Sequence, residues 1–382
     1  MDADRRDFLQ TTGALSIAGL AGCLGGDGGG GDGGGDEDGG DTPQDTTTPT
    51  PTPKETINVG MVYALGGLGD KSFNDMAHKG IKEAASKYDN IEFKNAEPSG
   101  PSDFKVLQRR FAQSTDPEYD LICCIGFAQT SALVENAQQF PDQKWMIVDS
   151  VATGSDDNPL PNVANYIFKE HQGSFQVGHL AGLLTTKEFS AGAGSTNPEE
   201  VLGFVGGKEI PLIKKFQAGY MAGVKYANEG NAIQSAYAGA WTDPAKGKEI
   251  ALSEYDEGAD IIYHAAGGTG IGVFKAAQEV GRYAIGVDAD QSRSVPEYSD
   301  VILASMVKHV DTAVFNAVKN VRNESFRGGQ VNALGLANNG VEAVLGQDLG
   351  DDIPTSVKDA LEQSRQGIID GDISVPTKVE DV

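Results

Sequence analysis

The chain is poor in the residue types that build disulfide frameworks and zinc sites. It has only three cysteines, and two of them, Cys123 and Cys124, are adjacent inside an apolar run that predicts a buried strand. Because neighbouring strand residues point to opposite faces of a sheet, a disulfide between them would be strained, and both are expected to be small core hydrophobes. The five histidines show no ligand spacing with one another. The sequence therefore predicts neither a disulfide scaffold nor a metal site.

Basic residues are also scarce. The chain has 30 lysines and arginines against 55 aspartates and glutamates, which gives a formal net charge of -25. This balance excludes nucleic acid as a partner, because phosphate binding requires a basic surface. It also argues against electrostatic adhesion to an anionic membrane. A strongly acidic exported protein is typical of a high-salt, halophilic setting, where ions screen the self-repulsion of the surface.

The N-terminal apolar run is too short to cross a membrane. It extends only from Ala14 to Leu20, whereas a transmembrane helix needs about 20 residues. It follows Arg5-Arg6-Asp7-Phe8-Leu9, a twin-arginine export pattern, and precedes Leu20-Ala21-Gly22-Cys23, a lipoprotein cleavage site. Residues 1–23 are therefore expected to be a signal peptide that ends in lipidation of Cys23. One acyl chain binds a membrane only marginally, so we expect a diacylglycerol-type anchor on the extracellular face of the cell membrane.

Residues 24–56 are expected to be a disordered tether. They consist of Gly/Asp repeats followed by Thr/Pro repeats, and neither composition can bury apolar surface.

From residue 57 onward, short β-branched runs alternate with longer amphipathic segments. This alternation predicts right-handed βαβ crossovers and parallel sheets. About 325 residues exceed what one core can organise, so two Rossmann-like α/β lobes with a hinged cleft are expected. We expect an N-terminal lobe of residues 57–168 with part of 288–310, and a C-terminal lobe of 169–287 with part of 311–382. The expected elements include a strand at 57–62 and helices at 73–88, 175–188 and 212–228.

Two glycine-rich segments lie where a nucleotide cofactor would bind in other α/β proteins. The first segment, Gly66 to Asn74, does not match the dinucleotide fingerprint, and it is read as a turn with Ser72 as a helix N-cap. The second segment, Gly267 to Gly272, has the wrong glycine order and lacks the Lys-Ser/Thr of a phosphate loop. No cofactor is expected.

The motifs of the predicted folded region resemble one family over nearly its whole length. Asp70-Lys71-Ser72-Phe73-Asn74 looks like the Asp-x-Ser-Phe-Asn motif of the basic membrane protein family, whose members are lipoproteins similar to purine-nucleoside receptors of ABC transporters. The resemblance continues in the same order through five further blocks. These are Gly173-Ser174-Phe175, Gly206-Gly207, Trp241 to Lys246, Ala265 to Gly270, and Ile285 to Gln291.

This resemblance implies a type I periplasmic-binding-protein fold and a set of ligand-binding residues. Phe73 and Trp241 would sandwich a base, one ring from each lobe, and Asp149 would accept hydrogen bonds from the base edge. Asp288 would accept both ribose hydroxyls, since a carboxylate has two acceptor oxygens. Gly268 would donate its backbone N–H to the sugar. Lys308 would hold the sugar or orient Asp288, and the implied set also includes Asn74 and Phe127.

One position departs from the family pattern, and several residues have ordinary structural interpretations. The family often has an aspartate at the position of Ala64, where it helps to read the base. Phe73 and Trp241 could be core residues, and Lys308 could belong to a solvated ion pair. Asp149 and Asp288 could be helix caps.

The function expected from these observations is that of a monomeric solute-binding lipoprotein that delivers a nucleoside to an ABC permease. A membrane-tethered nucleoside sensor, or a binding protein for another small polar solute, is the alternative. An enzyme such as a nucleosidase is disfavoured, because no His/Asp/Glu cluster supplies a general acid or base.

Overall fold

The computed structural model describes residues 55–382. The expected signal peptide, Cys23 and nearly all of the expected tether lie outside this part of the chain. No helix within it is long and apolar enough to cross a membrane.

Two six-stranded sheets organise the described residues, and both are covered by helices. The strands are β1 (Ile57–Val62), β2 (Ile91–Ala96), β3 (Leu121–Cys124), β4 (Lys144–Val148), β5 (Val163–Phe168), β6 (Ser190–Ala191), β7 (Gly194–Ser195), β8 (Val201–Gly206), β9 (Ala232–Tyr237), β10 (Ala259–Ala265), β11 (Tyr283–Asp288), β12 (Ile302–Lys308), β13 (Val331–Leu334) and β14 (Val341–Leu345). The helices are α1 (Phe73–Lys87), α2 (Asp103–Ala112), α3 (Thr130–Gln139), α4 (Glu170–Thr185), α5 (Pro211–Ala227), α6 (Pro244–Asp256), α7 (Ile271–Val280), α8 (Gln291–Ser294), α9 (Val310–Arg322) and α10 (Thr355–Asp370).

The expected two-lobe α/β fold is confirmed. The first sheet has the order β13-β5-β4-β3-β1-β2 and is entirely parallel. The second has the order β14-β12-β11-β10-β8-β9, and only β14 runs antiparallel to its neighbour. A parallel sheet buries both faces, so its strands are nearly continuous apolar runs, as β3 and β4 are.

The polypeptide chain crosses between the lobes three times, after β5, after β12 and after β13. The expected inclusion of part of 288–310 in the N-terminal lobe was wrong. Residues 302–308 form β12, which pairs in parallel with β11 and so extends the second sheet. The chain returns to the first lobe later, where α9 packs on α1 and β13 pairs with β5. It then re-enters the second lobe with β14 and α10, which packs on α4.

The adjacent cysteines lie in the first sheet as free thiols. Cys123 packs in the apolar cluster on one face of β3 and Cys124 in the cluster on the other face. Their opposite orientations follow from the two-residue period of a strand.

Candidate functional site

The carboxyl ends of both sheets face a cleft between the lobes, as expected for open parallel sheets. All eight residues proposed from the sequence to bind ligand line this one cleft. The first lobe contributes Phe73, Asn74, Phe127 and Asp149, and the second contributes Trp241, Gly268, Asp288 and Lys308.

The loop between β1 and α1 is held by Asp70. Its carboxylate accepts hydrogen bonds from the backbone N–H groups of Ser72 and Asn74 at 2.9 Å, and from the Asn74 side chain at 2.9 Å. Ser72 occupies the N-cap position of α1 as expected, but its hydroxyl makes no capping bond and donates instead to Asp288 at 2.5 Å. The Asn74 amide oxygen accepts from the Ala64 N–H at 2.8 Å. Asn74 therefore shapes the cleft mainly by fixing this loop.

Asp149 and Asp288 occupy equivalent places in the two lobes. Asp149 directly follows β4, and Asp288 is the last residue of β11. Both have left-handed backbone conformations, with φ of 65° and 63°. Such conformations are uncommon for residues other than glycine and cluster at functional sites. Neither aspartate is the N-cap of a helix in this structure, and both side chains lie at the cleft.

Lys308 is buried at the floor of the cleft rather than solvated. Its Nζ lies 2.6 Å from Oδ1 of Asp149 and 3.1 Å from Oε1 of Glu170, and all three side chains are almost fully buried. Oε2 of Glu170 also contacts Lys215, at 2.5 Å. Because breaking a buried pair leaves an uncompensated charge, these contacts fix the Lys308 ammonium in place.

Three aromatic rings surround the same ammonium. The Lys308 Nζ lies 5.1 Å from the ring centroid of Phe73, 5.0 Å from that of Phe168 and 5.6 Å from that of Phe216. A cation over an aromatic face is attracted by the ring quadrupole. Phe73 is half-buried, and both it and Lys308 line the cleft.

Trp241 is held against the second lobe by a close backbone approach. A Cβ on Gly207 would lie 2.4 Å from Cζ3 of Trp241, so the indole requires glycine at that position. Trp241 is half-buried and lines the cleft opposite Phe73.

Burial in the cleft raises the pKa values of two carboxylates, Asp149 and Asp288. Burial raises the pKa of Asp288 to about 6, although Lys308 and the Ser72 hydrogen bond both oppose this shift. Burial also raises the pKa of Asp149 above its usual range, against the effect of Lys308. Burial would raise the pKa of Glu170 too, but Lys308 and Lys215 together hold it below its usual range. The attraction of its carboxylate partners, outweighing burial, raises the pKa of Lys308, which is therefore charged.

A family model described as ABC transporter substrate-binding protein, PnrA-like, matches residues 57–378. The chain belongs to this family. An uncharacterized lipoprotein of Pyrococcus abyssi is 32% identical over 343 residues, covering 87% of this chain and 75% of the relative. An ABC transporter nucleoside-binding protein, BmpA, of Lactococcus lactis is 31% identical, covering 85% of this chain and 90% of the relative. The crystal structure of an ABC transporter solute-binding protein from Aeropyrum pernix is similar at a TM-score of 0.71 and 28% identity, covering 84% of this chain and 93% of that one.

Glu170, which contacts Lys308 but does not itself line the cleft, is the residue that sequence reasoning missed. The helix was expected to begin at Phe175, whereas α4 begins at Glu170, immediately after the first crossing between the lobes. A glutamate at the start of a helix, one residue after an apolar strand, was the available signal. It was not used because the strand β5 itself was not predicted.

Proposed function

We propose that this substrate-binding protein binds nucleosides between its lobes and delivers them to the permease of an ABC transporter. The observation that carries the proposal is the placement of Phe73 and Trp241 on opposite lobes of a cleft whose floor holds Asp288, Lys308 and Asp149. Two rings can stack on a base, at about 1–3 kcal/mol for each base on an aromatic platform. A carboxylate with two acceptor oxygens suits a ribose cis-diol.

The Lys308 contacts refine the roles expected from the sequence. An ammonium has three N–H donors, and Lys308 directs them toward Asp149 and Glu170 while its Nζ remains beside the cleft. Because the side chains of Asp149 and Lys308 contact each other, we expect both to contact the same part of the ligand. We therefore propose that both side chains bind the sugar, and that Asp149 does not bind the base edge as expected from the sequence.

Calorimetry in molar KCl against nucleosides, free bases, pentoses and amino acids tests the proposal. We expect nucleosides to bind and free ribose and amino acids to bind weakly or not at all. Phe73→Ala and Trp241→Ala should each weaken nucleoside binding tenfold or more, since each removes a stacking face and about 1.4 kcal/mol is tenfold. Tyr226→Ala is the matched control, because Tyr226 is 54% exposed on α5 and outside the cleft. Tight binding of ribose with no binding of any nucleoside would refute the proposal.

The proposal includes attachment through a lipid at Cys23 on the outer face of the membrane. The lipoprotein motif and the name of the Pyrococcus relative support it. Cys23→Ser should leave the protein exported but release it into the medium, whereas Arg5→Lys combined with Arg6→Lys should keep the precursor inside. Retention of the Cys23→Ser protein on washed membranes in high salt would contradict the anchor.

A further inference from the structure

Three hydrogen bonds join the loop between β1 and α1, in the first lobe, to the segment of β11 and α8 in the second. The backbone carbonyl of Lys71 accepts from Nε2 of Gln291 at 3.1 Å and from the hydroxyl of Ser294 at 3.2 Å. The hydroxyl of the next residue, Ser72, donates to Asp288. In the described part of the chain, Asp288 is the one of these five residues that lines the cleft. The lobes therefore make contact beside the ligand site through protein atoms alone.

Gln291 is fully buried, and the contacts of its amide fix which way the amide points. Its Oε1 accepts from the backbone N–H of Val287 at 2.8 Å and from Nε2 of His264 at 2.9 Å. A backbone N–H can only donate and a backbone carbonyl can only accept. The amide oxygen therefore stays in the second lobe, and the amide N–H is directed at the Lys71 carbonyl of the first.

The same glutamine holds the turn that carries Asp288. Val287 immediately precedes Asp288 and Gln291 begins α8 three residues after it, so the bond between them spans the left-handed residue. The backbone N–H of Gln291 donates to Oγ of Ser305 on β12 at 3.0 Å. A Cβ on Gly286 would lie 2.9 Å from Cβ of Gln291 and 2.6 Å from Oγ of Ser305, so this packing requires glycine.

Lys71 presents its carbonyl from a left-handed backbone conformation. Its φ is 57°, which is uncommon for a residue other than glycine and persists only where the surroundings impose it. Its backbone N–H donates to Oδ2 of Asp75 at 3.1 Å, and its side chain is exposed. Lys71 thus contributes its backbone, and not its charge, to the contact between the lobes.

We infer that Gln291 is a positioning residue that fixes the Asp288 turn and, together with Ser294, holds the lobes closed through the Lys71 carbonyl. The inference rests on the proposed nucleoside function for its ligand measurements and adds to that function a residue outside the cleft. A hydrogen bond across the lobes breaks when they separate, so these two bonds belong to the closed state. An interaction made in only one of two states shifts the equilibrium between them by its own free energy.

The first measurement is the distance between the lobes without ligand, by pulsed electron paramagnetic resonance of two spin labels. The labels are placed at Val106→Cys on α2 and Val280→Cys on α7, which are 58% and 43% exposed. The measurement uses the full chain with Cys23→Ser, so that the remaining native thiols, Cys123 and Cys124, are buried.

Two variants remove the donors to the Lys71 carbonyl. Ser294→Ala deletes one donor at a partly exposed position, and Gln291→Met keeps the length of the side chain without an N–H. Loss of a neutral hydrogen bond changes an equilibrium by about 2- to 12-fold. We expect both variants to shift the distance distribution toward the open state, and Gln291→Met to shift it further because Oε1 is lost too. Gln363→Met, exposed on α10, is the matched control and should leave the distances unchanged.

The second measurement is nucleoside binding, followed by stopped-flow kinetics. Ser294→Ala should weaken the affinity by the same factor of about 2–12, through faster dissociation at an unchanged association rate. A residue that only stabilises the second lobe would lower the melting temperature and leave distances and dissociation rates as in wild type. That result in both variants overturns the inference.

The Ser294→Ala result decides the matter if Gln291→Met does not fold, because the two side chains donate to the same carbonyl. Wild-type distances in Ser294→Ala would then overturn the inference. Absence of nucleoside binding by the wild-type protein would instead refute the proposed function, and the ligand-free distances would still test the contact between the lobes.

Discussion

Replacing Asp288 by asparagine should weaken ribonucleoside binding by removing charge without moving the backbone. Asp288 has a φ of 63°, and asparagine is the other side chain that tolerates this left-handed conformation. The amide oxygen can still accept from Ser72, which lies 2.5 Å from the carboxylate. Hydrogen bonds to a charged group contribute about 1.5–3 kcal/mol and neutral ones about 0.5–1.5. With two ribose hydroxyls, the loss is about 2–3 kcal/mol, or roughly 30- to 150-fold in the dissociation constant.

The same substitution should abolish a pH dependence of binding. The ionised carboxylate accepts the ribose hydroxyls, so ligand binding favours it and displaces its proton. Because the pKa of Asp288 is about 6, wild-type affinity should be constant above this pH and fall by up to tenfold per unit below it. Asp288→Asn should bind weakly and equally from pH 5 to 7.5.

The stability of the ligand-free protein should depend on pH in the opposite sense to the ligand affinity. Burial raises the folded-state pKa of Asp288 above its unfolded value of about 3.9. The contribution of Asp288 to the free energy of unfolding is therefore complete below the unfolded pKa and is lost as the pH rises through about 6. At pH 8 the free Asp288→Asn protein should therefore melt at a higher temperature than wild type.

A matched control isolates the ligand effect in these measurements. Asp260 is also a buried carboxylate with a pKa raised to about 6, but it lies near the amino end of β10 and bonds Thr185. Asp260→Asn should leave the affinity and its pH profile unchanged. Calorimetry of ribo- and 2′-deoxyribonucleosides at several pH values checks both variants. If Asp288→Asn keeps the wild-type preference for the ribonucleoside, or keeps the pH profile, Asp288 is not the ribose ligand.

Two further substitutions probe the framework around the site. Glu170→Gln leaves Lys308 with one carboxylate partner, which should cost about 3 kcal/mol, the low end for a broken buried pair. The pKa of Glu170 is depressed in the folded state, so its stabilising contribution is present above the unfolded pKa of about 4.3 and is lost in acid. The difference in melting temperature between Glu170→Gln and wild type should therefore shrink at low pH. Equal melting temperatures at pH 7 would contradict the prediction. Gly80→Ala places a Cβ 2.2 Å from the Asp311 carbonyl, where α1 packs on α9, and overpacking should destabilise by about 1–3 kcal/mol. Thermal unfolding checks this against Gly100→Ala, whose Cβ meets open space; a Gly80→Ala protein as stable as wild type would refute the close packing.

The sequence by itself determined the fold class and the family. Alternating strand and helix periods over a long chain predict parallel sheets in two lobes, because this information is local and repeats along the chain. The motif Asp70 to Asn74 and the block around Asp288 identified the family for the same reason, since each is a short contiguous segment. The residues that these motifs implied for the ligand site do line one cleft.

Only the tertiary structure decided how those residues are used. Ser72 was interpreted as a cap, but its hydroxyl meets Asp288 of the other lobe, a contact between residues far apart in the chain. Lys308 could have been a solvated lysine, but it ends β12 beside Glu170, the first residue of α4, and both side chains are buried. Pairings of this kind depend on which strand enters which sheet. That choice is made by packing among distant segments, so no local pattern of residues records it.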